Sequence, residues 1–262
     1  MEISKTVVQF EYKPVDYFEM SFEVVSEKYF FNIENGFAQF TLSEPKITVS
    51  ESLKREMTDK LHAILNARMV IKHESYEIGS INVQQHYANG TIKTHRTITP
   101  IASSIKVKAF APDIILKDAY GNIKVDTKAD RIAKEKKFMK LSADVSFTHP
   151  LIDKLFSSYR SAVSDSADEL VHLYEIIDAL KSHYGKKQDA IKALNISEDK
   201  WDRLFSHSNN EPLKEGRHRG SKQYLRIATD DEITEARDIA REMIESVLSK
   251  LSENSAASNS FP

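Results

Sequence analysis

The 262-residue chain contains no cysteine. That excludes disulfides, thiolate nucleophiles and cysteine-ligated zinc sites. It also fits a reducing compartment, so a cytoplasmic location is expected. No apolar run reaches the roughly 18 residues that a membrane span needs. The N-terminal Met-Glu-Ile-Ser-Lys lacks a basic segment followed by an apolar one, so neither a secretory signal nor a membrane partner is expected. Glycine is scarce, at seven residues. None of them falls in GxGxxG or P-loop spacing, which argues against those two kinds of nucleotide site. A GxSxG elbow and an HExxH helix are missing as well. Charge of one sign is not in excess either. The formal net charge is -2 and the pI about 6.5, so affinity for nucleic acid would have to come from a local patch.

What is present is enough apolar material for a core, 40% of residues, in a length that allows one large domain or two smaller ones. The first 147 residues read mostly as strands. Val7–Tyr12 and Phe18–Val25 are rich in aromatic and β-branched residues. Asn35-Gly36 within 29–42, Asn89-Gly90 between 78–87 and 91–98, and Tyr120-Gly121-Asn122 between 114–116 and 123–125 mark three hairpins. Helical spacing of Leu53, Met57, Leu61, Ile64 and Leu65 predicts one helix over 52–67, and a second is expected over 129–140.

After Thr148 the apolar period becomes helical. His149-Pro150 suits a helix start, striped by Leu151, Leu155, Tyr159 and Val163. Ser166-Ala-Asp-Glu169 and Thr229-Asp-Asp-Glu232 both match capping boxes. The first opens a helix burying Leu170, Leu173, Tyr174, Ile177 and Leu180 and ending at Gly185. The second opens the longest helix, striped by Ile233, Ala236, Ala240, Met243, Val247 and Leu251. Shorter helices over 188–194 and 198–206 flank Asn195-Ile196-Ser197. The expected fold is α+β: an N-terminal antiparallel sheet with one or two helices (1–147), an all-α bundle (148–251), and a small, polar tail (252–262) expected to be disordered.

The stretch with most chemical character is 209–226, polar and basic between apolar helical patterns. Within 211–226, Lys214, Arg217, Arg219, Lys222 and Arg226 face only two acids, Glu211 and Glu215. Arg217, His218 and Arg219 are consecutive between Gly216 and Gly220. Loops on a rigid scaffold commonly carry function, and this one, with Asn209 and Asn210 before it, is a candidate for binding RNA or DNA phosphates. The plainer reading is a solvated loop whose arginines pair with acids over 232–245. His172 and Glu175 share one helix face at i, i+3. They could meet the arginine loop as an acid–His–Arg cluster, or Glu175 could bond Arg217 as a structural clasp.

In layout, the helical half with its basic loop before a last long helix resembles the HEPN domains of bacterial RNA-targeting and phage-defence proteins. The resemblance implies metal-free RNA cleavage at a dimer of active sites, using an arginine, a polar residue and a histidine a few residues beyond the arginine. Arg217 and His218 would be the catalytic pair, the histidine as base and the arginine holding phosphorane charge. Here the two are adjacent, and Arg203 and His207 are also closer than the family's spacing.

Residues 112–128 resemble the PD-(D/E)xK signature of restriction-endonuclease-like nucleases. Asp113, Asp126 and Lys128 stand in that order on two strands of a hairpin. The resemblance implies Mg²⁺ held by Asp113 and Asp126, with Lys128 serving the attacking water. Otherwise no cofactor is expected. The helices around Asn195-Ile196-Ser197 have helix-turn-helix proportions, but Glu198 and Asp199 make the start of the second acidic, which opposes entry into a groove. Trp201 and Leu204 read as core anchors. The leading expectation is nucleic-acid or phosphate binding through 211–226. A nuclease and a non-catalytic adaptor, working with a protein partner or as a homodimer, are the alternatives.

Overall fold

In the computed structural model, residues 2–99, 113–145, 149–217 and 224–258 are described, with side chains as far as Asn254. The fold is α+β. Its strands are β1 (Ile3–Lys13), β2 (Phe22–Val25), β3 (Tyr29–Glu34), β4 (Phe37–Leu42), β5 (Glu77–Tyr87), β6 (Ile92–Thr97), β7 (Ile115–Lys117) and β8 (Ile123–Asp126). Its helices are α1 (Glu51–Lys72), α2 (Thr127–Val145), α3 (Pro150–Ser164), α4 (Glu169–Tyr184), α5 (Lys187–Leu194), α6 (Glu198–Phe205) and α7 (Asp230–Ser258). A π-turn, Ser206–Asn210, continues α6.

The chain divides into two compact units, 1–61 with 76–140 and 62–75 with 141–262. The division is therefore not a single cut at the change of periodicity near residue 148. Helix α1 begins in the first unit, and from His62 onward it belongs to the second.

In the first unit, six strands form an antiparallel sheet in the order β2-β3-β4-β1-β5-β6. The Asn35-Gly36 turn explains the tightest hairpin. Asn35 and Gly36 have φ of 48° and 80°, the left-handed pair that a two-residue turn between twisted strands needs. Register then places Phe40 opposite both Val8 and Phe31, and Ala38 opposite Phe10 and Ile33. Because alternate residues share a face, these side chains form one buried layer, and Phe40 touches the rings of Phe10, Tyr29 and Phe31. The Asn89-Gly90 hairpin joins β5 and β6, and the Gly121 turn joins β7 to β8 as a separate two-stranded ribbon.

The run Phe18–Val25 is not one strand. Only Phe22–Val25 pairs, because Phe18 is buried against Tyr12 and Tyr17, and burial rather than a ladder holds it.

In the second unit, α3 starts at Pro150 with His149 as its cap, accepting from the Leu151 amide. Tyr159 on α3 donates to the Val70 carbonyl of α1 at 3.1 Å, and Arg160 reaches Asn66 at 2.7 Å. Leu170, Leu173, Tyr174, Ile177 and Leu180 of α4 are all buried, and Gly185 closes that helix with φ 98°. In α7, Ala236, Ala240, Met243 and Val247 are buried, as their spacing predicts, and Ile239, Ile244 and Leu248 join them. Trp201 and Leu204 of α6 are buried core anchors.

One expectation fails here. Ser166 and Glu169 do not form a capping box. The N-cap is Asp168, without a side-chain cap bond, and Glu169 is buried in an ion pair with Arg237. Helix α7 extends past Ser252 to Ser258, and the last four residues of the expected tail lie outside the described residues.

Candidate functional site

The segment 209–226 leaves α6 through the π-turn. Inserting a residue per turn re-aims the side chains that follow, and such turns recur where helices carry function. Asn209 and Asn210 bond each other at 3.2 Å at its end. The segment then turns back on itself. The Lys214 amide donates to the Arg226 carbonyl and the Arg226 amide to the Pro212 carbonyl, both at 2.9 Å, so Leu213 and Arg226 form a parallel bridge. Gly216 is buried, and the Arg217 amide donates to the Ser208 carbonyl at 2.9 Å. Thus the two ends of the loop are pinned by backbone bonds. His218, Arg219 and Lys222 lie outside the described residues.

Arg226 is the centre of the pinned base. Its guanidinium meets Glu211 at 2.7 Å and both oxygens of Glu232 at 2.5 and 2.7 Å. Glu232 is also the capping carboxylate of α7. It accepts from the Thr229 amide at 2.8 Å, and its own amide donates to the Thr229 hydroxyl at 3.3 Å. Arg226 holds the Glu232 carboxyl down at about 2, from an ordinary 4.5. A carboxyl depressed in the folded state contributes stability above its unfolded value, lost as pH falls toward the folded one. Glu232 should therefore stay ionised at about pH 3 in a carboxyl-detected NMR titration. Titration at its ordinary value would mean that the Arg226 bridge does not form in solution.

Arg217 is anchored on α4. It donates to Asp178 at 3.1 Å, and its guanidinium carbon sits 4.2 Å from the Tyr174 ring centroid, a cation–π contact. The expected partner was Glu175. The arginine instead lands one helical step further on, at i+3, where the Tyr174 ring also receives it. His172 lies apart from the loop, with its imidazole nitrogens 3.8 Å from Asp165 and 3.6 Å from Glu175. Lys214 is exposed.

Beneath the loop base, His207 of the π-turn is 9% exposed. Its Nε2 is 3.0 Å from Glu235 of α7, and its Nδ1 is 2.9 Å from Glu211. Arg203 completes the row by donating to Glu235 at 2.6 Å. The sequence offered a partial signal, since His207 and Glu211 stand at i, i+4. Nothing local pointed to Glu235, because that contact requires the π-turn to meet a helix 28 residues on.

The residues of the nuclease-like hairpin are engaged in ion pairs and a helix cap. Asp113 meets Arg131 at 3.2 Å, Asp126 accepts from the Ala129 amide at the start of α2, and Lys128 is 3.3 Å from Glu19. Arg131 also grips Glu19, holding that carboxyl at about 2. Among the described residues, the grouping of three side chains able to share a metal ion is His207, Glu211 and Glu232.

Scans against protein-family models, curated proteins and solved structures returned no match. No helix of the described residues is long and apolar enough to cross a membrane.

Proposed function

We propose that the protein binds phosphate groups of nucleic acid through the loop 211–226. The observation that supports this most is the fate of the segment's two acids. Glu211 is drawn down onto Arg226, and Glu215 accepts from the Ala228 amide at 3.1 Å. Both negative charges are thus used at the base. Arg226 serves that base as well. Lys214 is exposed there, and the stretch from His218 to Gln223 brings Arg219, Lys222 and a histidine with no acid. A fixed base whose two ends are joined by a stretch with cations and no acid suits an anion, since little ordering of the base remains to oppose binding. Charge of this kind attracts phosphates without reading sequence.

The catalytic alternatives gain no comparable support. Asp113, Asp126 and Lys128 have three different partners, and Arg217 is held on α4.

The test is fluorescence anisotropy with labelled single-stranded RNA and DNA at low salt. Charge-assisted hydrogen bonds contribute about 1.5 kcal/mol or more each, so a Lys214→Ala/Arg219→Ala/Lys222→Ala variant should bind at least about tenfold more weakly. Equal binding by the variant, or no binding by the natural chain, would remove the proposal. Co-purification of a protein partner in that case would favour an adaptor.

A further inference from the structure

We infer that His207, Glu211 and Glu232 form a binding site for a divalent transition-metal ion of the Zn²⁺ class. The inference does not depend on phosphate binding by the loop. It starts from a buried imidazole with one nitrogen unaccounted for. His207 Nε2 lies 3.0 Å from Glu235. An ionised carboxylate can only accept, so Nε2 carries the proton. In the neutral ring Nδ1 is then a lone pair. It is buried and has no hydrogen-bond partner. Although Glu211 Oε1 is 2.9 Å away, two acceptors face each other across that gap. A cation between them resolves the conflict.

The remaining geometry suits a metal. One ligand atom from each of His207, Glu211 and Glu232 can be chosen so that all lie within 4.8 Å of one another. Zinc bonds to imidazole and carboxylate are roughly 2.0–2.2 Å, so the three side chains would close on a bound ion. The Glu235–His207 contact is the outer-sphere arrangement that fixes the tautomer and orientation of a ligating histidine. Glu235 is fixed in turn by Arg203. Arg226 touches Glu211 through Oε2, which leaves Oε1 for the ion, and it shares Glu232 with the ion. Imidazole with carboxylates and no thiolate points to Zn²⁺ or Mn²⁺ rather than to a soft ion, and the single nitrogen argues against an all-oxygen Ca²⁺ or Mg²⁺ cage.

The rival occupant of the gap is a proton, which would make His207 an imidazolium between Glu211 and Glu235. Titration of the EDTA-stripped full chain with ZnCl₂ and with MnCl₂ by calorimetry, near neutral pH, separates the two. The expected result is one site per chain, with a metal-induced shift of the His207 Nδ1 resonance in ¹⁵N-detected imidazole spectra. His207→Gln should weaken that site at least about tenfold, and His95→Gln, on the exposed edge strand β6, should leave it unchanged. If His207→Gln fails to fold, Glu211→Gln decides, with the same loss expected. An imidazole that keeps protons on both nitrogens in excess zinc would overturn the site. So would a stoichiometric site insensitive to the Glu211 and His207 substitutions, or no stoichiometric binding.

Discussion

Arg237→Ala should cost the second unit about 3–5 kcal/mol, the range for removing one partner of a buried ion pair. Arg237 donates to Glu169 through two nitrogens, at 2.5 and 2.7 Å. The arginine side chain is about one-third exposed and the Glu169 side chain only 3% exposed. The cost therefore comes chiefly from the carboxylate left behind, not from the arginine's own attraction, which water partly screens. His73 Nε2 lies 3.5 Å from Glu169, a longer contact than either of the two bonds it would have to replace. The chain has a single tryptophan, and Trp201 is buried in this unit. Urea unfolding followed by its fluorescence thus reports this unit, and the midpoint should fall by about 2 M. A Glu169→Met/Arg237→Met double variant should recover most of the loss, because an apolar replacement of both partners leaves no bare charge. A drop below about 1 kcal/mol in Arg237→Ala would mean that the pair behaves as a surface bridge.

Phe40→Ala should be comparably severe in the first unit, at about 3–5 kcal/mol. The ring is fully buried at the junction of β1, β3 and β4 and packs edge-on or tilted against three other rings. Neighbours held by two ladders cannot collapse into the vacated space, so a cavity persists. Because Trp201 lies in the other unit, the measurement is amide hydrogen exchange of β1 and β4. Protection of Val8 and Phe40 amides should fall by about two orders of magnitude or more, at roughly 1.4 kcal/mol per factor of ten. Unchanged protection would show that the aromatic layer is not what holds the sheet.

These two sites show how much of the chain was legible in advance. The hairpins were, because Asn35-Gly36 and Asn89-Gly90 encode their turn conformations locally. The stripes of α4 and α7 were too, because burial follows a period carried by adjacent residues. Glu169 was misread for the opposite reason. Its sequence neighbours fit a capping box, and a partner 68 residues away outcompeted the cap. Thr229 and Glu232 show the same motif succeeding where the second partner, Arg226, is only six residues away and shares the carboxylate. Arg217 was recognised as important but given the wrong acid, since one helical step between Glu175 and Asp178 cannot be read without the loop's position. His207 was weighed only with Arg203 against the HEPN spacing, because its partner Glu235 lies 28 residues on and no local pattern announces that contact.

The central claim is that the cations of 211–226 bind phosphates, and the salt dependence of binding tests it most directly. The association constant for single-stranded RNA should be measured between about 50 and 200 mM salt for the natural chain and for the Lys214→Ala/Arg219→Ala/Lys222→Ala variant. Each neutralised phosphate contributes about 0.7 to the slope of log K against log salt. Loss of three contacts should therefore flatten the slope by about 2. Parallel lines for the two proteins would contradict the claim, because the cations of this loop would then not be the ones meeting the phosphates.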